Sequence, residues 1–311
     1  MVRVRAALTC GTDLKLIRRG HPKIPFPVTL GHEFAGEVHA SGEGAPFLAG
    51  EHVASAVSGP CGECPDCTGG RMNLCQRAFE SPVWGAFAEF VKVPARVVRR
   101  GLKGVRERVP FEAAALLDPL ASVVHGLTRV NVRPDVSVLL YGSGPIAMLF
   151  AILGRQKGAN VIVAGRRPGR LALFSEQAAR TIDVNAGPPE EAVLEATGGR
   201  GADVVVDTTA DPALAPKLVS LAARGGTVLF FAGMPAGSTI GVDAGRLHYD
   251  EVSVAGSFHY TPADVDAALE LVSGGWIPLH ALVTARAGLE GFRGVLASLE
   301  RGEGMKTAFI P

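Results

Sequence analysis

The spacing of apolar positions changes near residue 100. Before it, apolar residues come in short runs broken by Gly and Pro: Phe34-Ala-Gly-Glu-Val-His39, His52-Val-Ala-Ser-Ala-Val57 and Gly85-Ala-Phe-Ala-Glu-Phe-Val-Lys-Val93. Such runs predict short strands and a β-rich first part. From Val136 the apolar runs become continuous. Val136-Ser-Val-Leu-Leu-Tyr141 leads into a glycine turn, a helix to about Lys157 and a second strand, Val161-Ile-Val-Ala164. Ala202–Asp207, Thr227–Phe231 and Val252–Ala255 repeat the pattern. Strands apolar on both faces and separated by helices predict an α/β region with a doubly wound parallel sheet. Pro262 then opens a helix to Ser273, and a last short helix is predicted over about Leu289–Leu299. No internal repeat or low-complexity linker interrupts this order.

Composition narrows the function classes. The 311 residues are 47% hydrophobic and 20% charged, with a formal net charge of +1. A near-neutral chain has no electrostatic footprint for nucleic acid or an anionic membrane. No apolar stretch reaches the length of a membrane span, and Met-Val-Arg-Val-Arg-Ala lacks the apolar core of a secretory signal. A cytoplasmic enzyme with a small-molecule substrate is expected, with neither nucleic acid nor membrane as partner.

Four of the five cysteines, Cys61, Cys64, Cys67 and Cys75, fall in one fifteen-residue run. Thiolates at this spacing can close a tetrahedron around a structural zinc, and clustering argues for metal rather than disulfides. The fifth, Cys10, opens Cys10-Gly-Thr-Asp13 upstream of Gly31-His32-Glu33. One thiolate, one imidazole and one carboxylate form a three-ligand set with a position left open, as a catalytic zinc requires. Two Zn2+ per chain are therefore expected.

The run Gly142-Ser-Gly144-Pro145-Ile146-Ala147 follows a strand and opens a helix, which is the dinucleotide fingerprint with Ala in third place. The first Gly makes the tight turn, the second admits a pyrophosphate, and the helix N-terminus supplies free N–H groups. The next strand ends in Ala164-Gly165-Arg166-Arg167, with Arg170 soon after. A carboxylate near Gly165 would hold the ribose hydroxyls of NAD. Gly there, followed by guanidinium groups able to fork onto a 2′-phosphate, favours NADP and leaves NAD open.

Together these pieces, with Asp118-Pro-Leu, His125, Gly256-Ser-Phe-His-Tyr260 and Gly304-Met-Lys-Thr-Ala-Phe309, resemble the zinc-dependent medium-chain dehydrogenase/reductase family of alcohol, sorbitol and threonine dehydrogenases. The resemblance runs over essentially the whole chain in family order. It implies a GroES-like β-rich catalytic domain over 1–118 and 259–311, with a zinc lobe at about 59–77. It also implies a Rossmann domain over 119–258 and an active cleft between the two.

Carried over residue by residue, Cys10 and His32 would ligate the catalytic zinc, and Glu33 would be a ligand or its neighbour. Asp118 falls where polyol dehydrogenases have Glu and alcohol dehydrogenases Cys. One methylene shorter than Glu, it would bind directly, through water or only in one state, and its acidity leans toward the polyol branch. Thr12 would hydrogen-bond the substrate oxygen and take its proton, Ser122 would line the nicotinamide pocket, and Lys306 would reach the pyrophosphate. His259 stands where sorbitol dehydrogenase-like sequences often have Arg. The other histidines (His21, His39, His52, His125, His248, His280) read as surface or packed residues.

Two departures stand out. Lys15 replaces a His that relays the proton in many members, and only nine residues precede Cys10 where the family usually has some three dozen or more. The expected activity is hydride transfer between NADP(H) and an alcohol or polyol, or the corresponding ketone or aldehyde, by a homodimer or homotetramer. The alternative is a folded zinc- and nucleotide-binding protein that is inactive in this short form.

Overall fold

A computed structural model describes residues 1–20, 27–177 and 179–311. His21 lies outside them. The chain divides into two compact units, Met1–Val124 with His259–Pro311, and His125–Phe258.

The first unit carries β1 (Val2–Leu8), β2 (Glu33–Val38), β3 (His52–Ser55), β4 (Phe90–Val91) and β5 (Leu102–Gly104). The second holds β6 (Ser137–Tyr141), β7 (Asn160–Gly165), β8 (Arg180–Asp183), β9 (Ala202–Asp207), β10 (Ala222–Phe230) and β11 (Ser253–Gly256). The chain then returns to the first unit for β12 (Val283–Ala287) and β13 (Lys306–Phe309).

The first unit's sheet runs β12-β13-β1-β2-β3-β5, with β4 also paired to β1. The start of β1 alternates. In β1, Val2 and Val4 turn inward onto Phe34, Val38, Val53 and Val91, while Arg3 faces solvent. The register of β1 on β2 shifts between Val4 and Ala6, leaving Arg5 as the bulged residue. Of the predicted strand over Gly85–Val93, only Phe90–Val91 pairs regularly. Gly85, at φ 101°, turns the chain so that the Gly85 and Ala86 amides both donate to the Gly31 carbonyl. One acceptor serving two consecutive amides cannot continue a ladder.

The second unit's sheet is entirely parallel, in the order β8-β7-β6-β9-β10-β11. That is the 3-2-1-4-5-6 order of a Rossmann fold, with its switch point between β6 and β9. β6 is buried at every position, as its continuous apolar run requires. β8, Arg-Thr-Ile-Asp, is an edge strand with only Ile182 buried, and it has no comparable run in the sequence. The helix Pro145–Gln156 starts with Pro in its first turn, where no N–H is needed, and buries Ala147 through Gly154 against the sheet. No helix among the described residues is long and apolar enough to cross a membrane.

Phe34, with no exposed surface, is the largest inward side chain of β2. Phe34→Ala is expected to destabilise the first unit by about 3–5 kcal/mol. Denaturant unfolding followed by probes specific to each unit checks this, and the second unit's transition should stay in place.

Candidate active site

Strand register builds the candidate metal site. β1 and β2 are antiparallel with Leu8 opposite Glu33, so the chain leaving β1 lies beside the chain entering β2. Cys10 and His32 are thereby juxtaposed. β13 flanks the other side of β1 with Ala308 opposite Leu8, which carries Lys306 to the same place. Thr9 secures that crossing, its amide donating to the Thr307 carbonyl at 3.0 Å and its hydroxyl accepting the Thr307 amide at 2.9 Å.

Cys10, His32 and Glu33 present ligand atoms that all lie within 4.8 Å of one another. Cys10 precedes the helix Gly11–Arg19, whose N-terminus favours negative charge. Asp13 in that helix's first turn accepts the Cys10 amide at 2.9 Å and the Gly31 amide at 3.3 Å. It thus ties together the two segments that carry ligands. Asp13 Oδ1 also sits 3.5 Å from His32 Nδ1, which is buried and has no hydrogen-bond partner among the described residues. A carboxylate behind the ring is the arrangement that orients a metal-binding histidine. Burial works against a protonated His32, but Asp13 and Cys10 together outweigh it and raise its pKa well above the ordinary imidazole value. A metal must therefore displace a proton here, and binding weakens as pH falls.

Glu33, 1% exposed, pairs with Lys306 at 2.5 Å. Burial pushes the Glu33 carboxyl up and Lys306 opposes it. The Lys306 ammonium also donates to the Thr9 carbonyl at 3.0 Å. Expected at a pyrophosphate, Lys306 is instead buried, and this placement suits holding Glu33 rather than reaching for phosphate. Asp118 is not part of the three-residue cluster. Its Oδ1 accepts the Val57 amide at 2.7 Å and the Tyr260 hydroxyl at 2.5 Å. Thr12 is half-buried in the first turn of the Gly11–Arg19 helix, and Lys15 is exposed one turn on. The Ser122 hydroxyl turns back to the Asp118 carbonyl at 3.3 Å.

Among the described residues, the four clustered cysteines form the second metal-competent group, and none is in a disulfide. Sulfur separations are 3.9 Å for Cys61–Cys67, 3.9 Å for Cys64–Cys75 and 3.6 Å for Cys61–Cys75. Four sulfurs at about 2.3 Å from a tetrahedral zinc stand about 3.8 Å apart, so the donor set fits that ion. The Cys64 amide donates to Cys61 Sγ and the Cys61 amide to Cys75 Sγ, each at 3.3 Å.

In the second unit, a cavity of about 300 Å³ opens at the carboxyl ends of β6 and β7. Gly142, Gly144, Gly165, Arg166, Arg167 and Arg170 line it. Gly142 has φ 116°, and a Cβ there would stand 2.2 Å from Thr208 Oγ1. A Cβ at Gly165 would stand 2.6 Å from Ser143 Oγ and 2.7 Å from its Cβ, so an acidic side chain would collide with the glycine turn. Burial, then the neighbouring Arg167, lowers the Arg170 pKa to about 10, which leaves it charged at neutral pH. One acid, Asp211, shares the wall, but its carboxylate caps the Ala213 amide at 3.0 Å. Pro145, Ile146 and Ala147 form the helix's first turn and do not line the cavity, Ala147 being fully buried.

Trp84, which lies outside the motifs, stands against one residue of the metal cluster. The Trp84 ring lies 4.6 Å from that of His32, and its buried indole N–H has no partner among the described residues. Ser58 and His259 are joined at 2.7 Å. Single Trp and Ser residues carry no spacing signal, so only the fold places them.

The family description "Alcohol dehydrogenase GroES-like domain" matches residues 1–101, and "Zinc-binding dehydrogenase" matches 145–274. D-altritol 5-dehydrogenase of Agrobacterium fabrum is 32% identical over 280 residues, 88% of this chain and 80% of that protein. Sorbitol dehydrogenase of Halalkalibacterium halodurans is 29% identical over 317 residues, 100% of this chain and 91% of the relative. A zinc-binding dehydrogenase from Sinorhizobium meliloti 1021, solved with NADP bound, is 30% identical with a TM-score of 0.89, covering 100% of this chain and 91% of that one. The chain belongs to the zinc-dependent medium-chain dehydrogenases/reductases. It is an oxidoreductase of GroES-like and Rossmann architecture that uses zinc and a nicotinamide cofactor, and these relatives favour it over the inactive alternative.

Two outcomes follow from the local electrostatics. In metal-free protein, backbone N–H groups of Glu63 and Cys64 lower the Cys61 pKa to about 6, while burial pushes Cys67 up to about 12. At pH 7 Cys61 is then mostly thiolate, so iodoacetamide with mass mapping should label it well before Cys67, and zinc should suppress both. Lys306→Met strands the Glu33 carboxylate in the core and should cost about 3–5 kcal/mol in chemical denaturation, partly recovered in the Lys306→Met/Glu33→Gln pair.

Proposed function

We propose that this chain interconverts a secondary hydroxyl of a polyol and the corresponding ketone, with NADP as its preferred nicotinamide and two zinc ions per chain. The observation that carries the reading is the convergence of Cys10, His32 and Glu33 at one strand crossing, in a family whose similar members are sorbitol and altritol dehydrogenases.

When bound, zinc at Cys10, His32 and Glu33 supplies Lewis-acid polarisation of the substrate oxygen, and the nicotinamide supplies or accepts the hydride at C4. The protein's own groups do the rest. Asp13 holds His32 and both ligand-bearing turns in place, and Lys306 balances the Glu33 charge. The Thr12 hydroxyl is proposed to relay the proton of the reacting carbinol, accepting it while passing its own to solvent water on the side of the helix where Lys15 is exposed. The Trp84 N–H beside His32, unpartnered among the described residues, can donate to a second substrate hydroxyl. Cys61, Cys64, Cys67 and Cys75 would hold the second zinc, which orders their loop and takes no part in turnover.

The NADP preference rests on the second unit. Gly165 leaves no room for the acid that would repel a 2′-phosphate, and three guanidinium groups line the same cavity. The similar S. meliloti structure carries NADP. A homodimer or homotetramer is the assembly proposed, through the edge of the parallel sheet, where Val254 of β11 is 38% exposed.

Turnover screened over sugar alcohols, secondary alcohols and aldehydes with both nicotinamides tests the reading, and failure on every polyol would overturn it. Cys10→Ser should abolish turnover while about one zinc per chain remains. Arg166→Ala should raise KM for NADP about ten- to a hundredfold and change KM for NAD less than about threefold.

A further inference from the structure

Three distant segments meet at a buried knot beside the metal cluster. Tyr260, 4% exposed, sends its hydroxyl to Asp118 Oδ1 at 2.5 Å. The Val57 amide reaches the same two groups, Asp118 Oδ1 at 2.7 Å and the Tyr260 oxygen at 2.9 Å. The next residues repeat the contact, with Ser58 Oγ 2.7 Å from His259 Nε2. His259 and Tyr260 thus clamp Val57 and Ser58, their rings 3.9 Å apart. The clamp requires an unusual backbone: His259 sits at φ 59°, in the left-handed region that non-glycine residues avoid. Strain of this kind persists only where surrounding contacts impose it.

The clamp fixes one carboxylate oxygen and leaves the other. Asp118 Oδ2 takes no protein hydrogen bond among the described residues. No Asp118 oxygen joins the group formed by Cys10, His32 and Glu33, although the Asp118 charge is near enough to raise the Glu33 pKa. Burial, then Asp118 itself, holds the Tyr260 phenol well above its ordinary pKa, so it stays a donor.

We propose that Tyr260, set by the left-handed turn at His259, is a positioning residue that holds Asp118 beside the catalytic metal and out of its ligand set. The inference rests on the dehydrogenase reading for the identity of the site, and not on any turnover. With Oδ1 committed to two donors and a side chain one methylene shorter than Glu, Asp118 acts through its free oxygen, on water or on substrate.

Cobalt-loaded full-length protein tests it, because the visible bands of cobalt report the number and kind of its ligands. Metal content per chain is measured alongside, without substrate. Asp118→Ala is expected to keep the metal content and bands of the unmodified protein. Tyr260→Phe is expected to keep the metal content but shift the bands, as the released carboxylate moves onto the ion. The shift should vanish in the Tyr260→Phe/Asp118→Ala pair. Tyr260→Met removes the same hydroxyl, and whichever single variant keeps the native melting temperature serves. Loss of about one metal per chain or a band shift in Asp118→Ala would make Asp118 a ligand and overturn the proposal. Unchanged bands in a folded Tyr260 variant would overturn the positioning role. Because no substrate enters, an absence of polyol turnover would count against the proposed function and leave this result standing.

Discussion

The pairing of β1 with β2 on one side and β13 on the other is the constraint on which the candidate metal site depends. Leu8 lies opposite Glu33 and opposite Ala308, so the end of β1 meets the start of two other strands at one point. Side chains alternate faces along a strand. A slip of one residue in either pairing would turn Glu33 or Lys306 to the opposite face and separate Cys10 from His32. The apolar packing of Val2, Val4, Phe34 and Val38 fixes that register, so the core of the first unit and its chemistry are set by the same alternation.

Burying this much charge demands compensation. Asp13, Glu33, Asp118 and Lys306 are all less than a tenth exposed. Each is answered locally: Asp13 by two backbone amides, Glu33 by Lys306, and Asp118 by Val57 and Tyr260. A buried carboxylate without such partners would take up a proton rather than stay ionised. His32 is the exception, its Nδ1 without a hydrogen bond among the described residues while Asp13 stands behind it. A cation placed among Cys10, His32 and Glu33 would complete the charge balance that the protein leaves unfinished.

The second unit relies on shape more than on charge compensation. Gly142 and Gly165 are both needed because Thr208 and Ser143 occupy the space where a Cβ would project. The missing acid at the end of β7 is therefore a packing requirement of the glycine turn, besides being one support for the proposed cofactor preference. With no carboxylate possible there, the arginines that follow face an open cavity.

Local patterns made much of this legible. The continuous apolar run of β6, the glycine turn and the helix behind it specify a Rossmann unit because each signal lies within about thirty residues of the next. The cysteine run is equally self-contained, since its four sulfurs close on one another within a single loop. β8 was not legible, because a polar edge strand carries only one inward residue, and the predicted strand at Gly85 dissolved where a glycine turned the chain. By itself the sequence determined the fold class, the two families of donor residues and the nucleotide turn. Tertiary structure alone decided that Lys306 serves Glu33, that Tyr260 and Val57 hold Asp118, and that Trp84 stands against His32. Those contacts join residues up to 273 positions apart, and strand register and core packing, not spacing, bring them together.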